Sequence, residues 1–213
     1  MATSAREAIL SSIRSAIGPQ VADPAAEWAG ISRDYRRGGM MSLEQRLELL
    51  EDRLRDYDAG VYRASHGEVP ELIARILAER GKQVMALPEG FPAAWLPEGV
   101  RCVQDTRSSI AEIDACEGVL TTATLAIALT GTIILQDAPG QGRRAVTLLP
   151  DYHLCIVDTA SVVETVPEAI ALLKETATKA TTFFSGPSAT ADIEMTRIKG
   201  VHGPRFVDVI LVS

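Results

Sequence analysis

The hydrophobic pattern changes period at Gly81, and this limits what the chain can fold into more than any other feature. Upstream, apolar residues recur at helical spacing. Ser42-Leu-Glu-Gln45 is a capping-box pattern, in which the serine and the glutamine would satisfy each other's backbone N–H groups. Leu43, Leu47, Leu50 and Leu54 then repeat at i, i+4, i+7 and i+11, the stripe of an amphipathic helix facing a core. Residues 68–80 carry a second such stripe through Val69, Leu72, Ile73, Ile76 and Leu77. Ser4-Ala-Arg-Glu7 opens a third helix, with Ala8, Ile9, Ile13 and Ile17 on it, and Gly18-Pro19 stops it.

Downstream of Gly81 the apolar runs are short and are separated by Gly, Thr, Pro or Asp. They occupy 82–87, 100–103, 118–121, 125–129, 132–135, 146–149, 153–157, 181–184 and 206–211. Short, mainly apolar runs of that kind fit strands of a covered sheet. Ser109-Ile-Ala-Glu112 and Thr165-Val-Pro-Glu168 interrupt them as helix starts. Helices first, then strand–helix alternation, predict an α/β fold. Its sheet is Rossmann-like, mixed and mostly parallel, with helices on both faces and an N-terminal helical extension. The predicted division is a helix and arm over residues 1–41 and an α/β domain over 42–213. The arm from 19 to 41 is rich in Pro, Gly and Asp. Its length suits docking on a partner or on a second copy of the chain, or covering a site.

Composition excludes several classes. Hydrophobic residues are 46% of the 213, enough for a core, and aromatics only 5%, so that core is aliphatic. A net charge of −7 argues against a nucleic-acid partner, which needs a basic face. No run of about 18 apolar residues suggests a membrane span. Residues 1–18 lack a secretory core, so the expected location is the cytoplasm. Cys102, Cys116 and Cys155 are widely spaced, without a C-x-x-C, and His66, His153 and His202 are scattered. No metal site is expected, and the chain cannot supply the usual thiolate set of an iron–sulfur cluster.

Four segments could carry chemistry. Thr130-Gly131-Thr132 places a glycine between hydroxyls, where backbone N–H groups can approach an anion or simply make a tight strand turn. Ser185-Gly-Pro-Ser-Ala-Thr-Ala-Asp192 follows a predicted strand. Gly186, Ser188 and Thr190 there could cradle a carboxylate or phosphate beyond the strand's carboxyl end, and Asp192 could orient it or move a proton. His202, in the turn Gly200-Val-His-Gly-Pro204, is a candidate general acid–base group. The adjacent Arg205 suits a carboxylate. Gly140-Gln-Gly-Arg143-Arg144 lacks the third glycine of a dinucleotide fingerprint and no helical pattern follows it. It reads as an exposed hairpin tip whose arginines, Arg144 in particular, could bind a carboxylate.

In combination these strings resemble the lactate-utilisation protein C family, whose members carry a LUD domain. The resemblance rests on Ile127-Ala-Leu-Thr-Gly-Thr-Ile-Ile-Leu135, Arg144, Leu149-Pro150, Ser185-Gly-Pro-Ser-Ala-Thr-Ala-Asp-Ile-Glu194 and Gly200-Val-His-Gly-Pro204, with Arg33-Asp-Tyr-Arg36 in the arm. It spans about residues 30–213. It implies a fold of the sugar-phosphate isomerase and CoA-transferase-like superfamily. It also implies a part in oxidising L-lactate to pyruvate beside two partner subunits that carry iron–sulfur clusters, this chain holding no cofactor. The family commonly has an acidic residue before T-G-T, where this chain has Leu129.

On that footing Arg144 or Arg205 would hold the carboxylate of a small substrate, His202 would take the hydroxyl proton, and Thr130, Thr132, Ser188 and Thr190 would line the pocket. Two other readings stay open. One is a stand-alone enzyme on a small phosphorylated or CoA-linked substrate, with Glu164 or Glu194 as carboxylate nucleophile. The other is a non-catalytic assembly module docked through the arm.

Overall fold

The structure is a computed structural model and describes residues 4–18, 23–106, 108–190, 198–200 and 202–213. The chain forms two compact units, residues 1–35 and 36–213.

In the first unit, α1 (Ala5–Ile17) starts at the expected capping box of Ser4 and Glu7. Its apolar residues Ile9, Ile13 and Ile17 are all exposed. A further helix, α2 (Pro24–Gly30), lies within the segment read above as an arm. Proline is tolerated in its first turn, and the Asp23 side chain accepts from the N–H groups of Ala25 and Ala26. The Arg33 guanidinium lies 4.7 Å from the centre of the Trp28 ring.

The second unit begins with α3 (Leu43–Asp56), capped by Ser42 and Gln45, with Leu47, Leu50 and Leu54 buried. Leu43, the first residue of the expected stripe, is exposed at the helix start. The elements that follow are β1 (Gly60–Ala64), α4 (Val69–Glu79), β2 (Val84–Pro88), β3 (Arg101–Asp105), α5 (Ile110–Asp114) and β4 (Gly118–Thr122). Next come β5 (Leu125–Ile127), β6 (Thr132–Gln136), α6 (Arg144–Leu148), β7 (Tyr152–Asp158), β8 (Val162–Val163) and α7 (Val166–Leu173). The last are β9 (Thr181–Phe184), β10 (Ala189–Thr190), β11 (Ile198–Lys199) and β12 (Phe206–Val212).

Six strands form a parallel sheet in the order β1-β12-β7-β4-β2-β3. A second sheet, β8-β5-β6-β9, is antiparallel except for its β5–β8 pair. The layers follow from the alternation of side chains along the strands. Leu154, Ile156, Ile210 and Val212 turn one face of the parallel sheet to Val69, Ile73, Ile76 and Leu77 of α4. Cys155, Val157, Val209 and Leu211 turn the other face to Leu47, Leu50 and Leu54 of α3 and to Ala126, Ile133 and Leu135 of the second sheet. The far side of that second sheet, through Ile127 and Ile134, is covered by Ala169 and Leu173 of α7. The mostly parallel α/β architecture expected from the sequence is the one observed.

One expected strand is a helix. Residues 146–149 belong to the turn of α6, because Ala145, Val146 and Leu149 share one helical face and pack on Ile113, Cys116 and Val119. A four-residue apolar run fits either state, and tertiary contacts decide it. Among the described residues no helix is long and apolar enough to cross a membrane.

Candidate functional site

The parallel sheet reverses its direction of growth between β2 and β4, since β3 is added on one side and β7 and β12 on the other. At the carboxyl ends of these strands two turns meet. The N–H of Gly140 donates to the Glu89 carbonyl at 2.7 Å, and the N–H of Thr122 donates to the Gly140 carbonyl at 2.8 Å. A crevice of about 620 Å³ opens there beside Glu89, Asp105, Asp137, Pro139 and Arg143.

A smaller hollow of about 260 Å³ lies at the opposite ends of the strands, where β7 and β12 begin. The chain leaves β9 at Phe184, runs through Ser185 to Ser188, and returns through the β10–β11 ribbon. The returning segment is tied to the outgoing one. Gly200 N–H donates to the Ser188 carbonyl at 3.0 Å, His202 N–H to Ser188 Oγ at 3.0 Å, and Ser188 N–H to the Pro204 carbonyl at 2.9 Å. These bonds bring the glycine loop and the His202 turn onto one wall. Thr147 and Arg144 of α6 and the ring of His153 on β7 complete the enclosure.

Arg144 is the charge of this hollow. Its guanidinium donates to Thr147 Oγ1 at 3.2 Å and to the carbonyls of Thr147 and His202 at 3.4 and 3.5 Å. Among the described residues no carboxylate pairs with it. Desolvation lowers its pKa, so a bound anion would be favoured there. His153 is 2% exposed, with Nε2 at 2.7 Å from Thr121 Oγ1 and its ring centre 5.2 Å from that of Phe184. Burial, and secondarily the Arg144 charge, push its pKa down to about 3, so the ring is neutral.

The hollow thus gathers Arg144, Gly186, Ser188 and His202 from three distant segments. The Thr130-Gly131-Thr132 turn stands one step outside it. Thr130 Oγ1 lies 2.8 Å from Thr132 Oγ1, which lies 2.9 Å from Ser185 Oγ, so a hydroxyl chain runs from that turn to the rim. Gly131 itself is packed on Arg53, and Gly186 on Tyr57, so both approach the end of α3. Arg205 is held by Asp151 through two hydrogen bonds of 2.5 and 2.8 Å. Thr190 sits on β10, and Asp192 and Glu194 lie outside the described residues.

The two adjacent arginines differ sharply, and neither occupies a hairpin tip. Arg143 is tied to Asp105 by two bonds of 3.0 Å and donates to the Ser108 carbonyl, whereas Arg144 opens α6 toward the hollow. Glu164 is also fully engaged. Its carboxylate, 1% exposed, accepts from Arg36 and from the N–H groups of Met40 and Met41 at 2.6 and 2.7 Å. Those bonds, that of Met41 foremost, hold its pKa below the ordinary value, and they occupy the lone pairs a nucleophile would need. Sequence reasoning missed His153, Thr121 and Thr147. The available signal was a histidine inside an otherwise apolar strand.

The donor set does not fit an iron–sulfur cluster. Cys102 lies on β3, Cys116 follows α5, and Cys155 is in the middle of β7 with its thiol pushed up to about 12 by burial. Among the described residues no group of three His, Cys, Asp or Glu is placed to hold a metal ion.

Comparison with known proteins gives concordant results. Residues 92–212 match a family model described as LUD domain. A lactate utilization protein C from Deinococcus radiodurans is 41% identical over 176 residues, covering 81% of this chain and 82% of that protein. One from Bacillus pumilus is 29% identical over 241 residues, covering 98% and 96%. A crystal structure of a DUF162 family protein from Deinococcus radiodurans superposes with a TM-score of 0.70 at 35% identity, covering 82% of this chain and 100% of that one.

Proposed function

The chain belongs to the LUD-domain family, and from that premise we propose that it is the carboxylate-binding subunit of a lactate-utilisation system. Its ligand is L-lactate or pyruvate, the pair interconverted when such a system oxidises lactate. Partner subunits in the cytoplasm carry the iron–sulfur clusters that take the electrons.

The observation that carries this reading is Arg144. It stands at the edge of a 260 Å³ hollow without a carboxylate partner among the described residues, while Arg143 and Arg205 are already paired. A planar guanidinium holds a carboxylate through two parallel N–H donors. The apolar side of the hollow, from Leu135, Phe184 and Val207, suits the methyl group of a three-carbon acid. His202 lines the same hollow from an exposed turn.

The test is calorimetric titration of the purified chain with pyruvate and L-lactate, beside growth on L-lactate of a strain in which the gene is replaced by Arg144→Gln. Saturable binding lost in the variant, with loss of growth, is the expected result. Absence of binding together with normal growth of the variant strain sinks the proposal.

A further inference from the structure

His153 is a buried polar group at the hollow that nothing in the carboxylate reading requires. Its Nε2 is committed to Thr121 Oγ1 at 2.7 Å. Its Nδ1 has no hydrogen-bond partner among the described residues. The ring is nevertheless not sealed, because the one enclosed side-chain polar atom lacking a partner among the described residues is Nε of Arg46. His153 is 2% exposed and lines the hollow.

A neutral imidazole has one donor nitrogen and one acceptor nitrogen, and the bond made by one fixes the role of the other. The partner here is a hydroxyl, which can donate or accept. If Nε2–H donates to Thr121 Oγ1, Nδ1 is an acceptor and suits the C2 hydroxyl of a 2-hydroxy acid. If the Thr121 hydroxyl donates to Nε2, Nδ1–H is a donor and suits the C2 carbonyl of a 2-oxo acid. Both arrangements leave the ring uncharged and both satisfy the buried Thr121 hydroxyl.

We infer that His153, with Thr121 behind it, is a specificity-determining residue that reads the oxygen on C2 of the bound acid, accepting 2-hydroxy and 2-oxo acids alike and rejecting acids that lack that oxygen. The inference rests on the carboxylate reading, since Arg144 must hold the other end of the ligand. An acid without the C2 oxygen leaves Nδ1 desolvated and unpaired, which costs it affinity.

The experiment is calorimetric titration of the full-length chain with L-lactate, pyruvate and propionate. Wild type is expected to prefer the first two over propionate by about tenfold or more. His153→Leu is expected to erase that preference while propionate affinity stays within about twofold of wild type. Thr121→Val and nitrogen NMR of the wild-type histidines provide measurements that do not depend on how a leucine packs in the sheet. In wild type, pyruvate, whose C2 carbonyl can only accept, should hold His153 as the Nδ1–H tautomer, and Thr121→Val should weaken both acids toward propionate. Equal binding of all three acids by wild type, or a pyruvate complex in which His153 Nδ1 carries no proton, overturns the inference and leaves the carboxylate site standing. No saturable binding of any of the three sinks the carboxylate reading and this inference with it.

Discussion

Asp208 is wholly enclosed in the middle of the parallel sheet, and Arg80 at the end of α4 reaches it with two hydrogen bonds of 2.6 and 2.9 Å. The Tyr152 hydroxyl adds a third at 2.8 Å, and burial beside that carboxylate raises the tyrosine's pKa. The pair ties the helix on one face to β12 and β7 at the start of the strands that border the hollow.

Removing one partner from an enclosed ion pair leaves a charge without compensation, so Arg80→Ala should lower stability by about 2–4 kcal/mol, less than a wholly buried pair because the arginine is 36% exposed. Urea unfolding measures it. A change below about 0.5 kcal/mol would show that water already reaches the carboxylate.

His153 makes stability depend on pH in a definite direction. Its folded pKa of about 3 lies below the free value of about 6.5. Above the free value neither state takes a proton and the contribution is complete. As pH falls below it, the unfolded chain binds a proton that the folded chain refuses, and stability drops by about 1.4 kcal/mol per pH unit until the folded pKa is reached. Between pH 7 and pH 5, wild type should therefore lose about 2 kcal/mol more than His153→Gln. Parallel loss in both proteins would contradict the buried neutral ring.

Glu164 fastens residues 36–41 to the start of α7 through Arg36 and the Met40 and Met41 amides, while Glu168 accepts from Gly39 at 3.0 Å. The structure has no room for a side chain at Gly39, whose Cβ would overlap the Glu164 carboxylate. Glu164→Ala should speed hydrogen exchange at Met40 and Met41 while the strands of the parallel sheet keep their protection. Because the carboxyl's pKa is lowered, the fastening is complete above its ordinary value and is lost as pH falls through the lowered one. Unchanged exchange in the variant would mean that other contacts hold the segment.

Arg143 and Arg144 should separate in opposite ways. Arg143→Gln breaks the tie to Asp105 and Ser108 and should lower the melting temperature while leaving pyruvate affinity unchanged. Arg144→Gln should abolish pyruvate binding with little change in melting temperature, since its own bonds are long and end-on. Titration calorimetry and thermal melts on the same preparations decide it, and reversed behaviour would reassign the site.

The strings that carry the family resemblance are local and were legible in the sequence. So were the helix starts, because a capping box needs only residues three apart and Ser42–Gln45, Ser109–Glu112 and Thr165–Glu168 all form it. The stripes of α3 and α4 and the apolar runs of the parallel strands were legible for the same reason: burial on one face imposes a period on neighbouring positions. Tertiary structure alone decided which polar groups were free to act. Arg143 and Arg144 are adjacent and chemically identical, yet Asp105 takes the first and the hollow receives the second. His153 looks like an interruption in an apolar strand until β4 sets Thr121 beside it. Residues 146–149 could be strand or helix until Ile113 and Val119 gave them a surface to pack on. Backbone preference is settled among near neighbours. The role of a charge or an imidazole is settled by whichever group the fold brings within about 3 Å, and sheet pairing draws that group from tens of residues away.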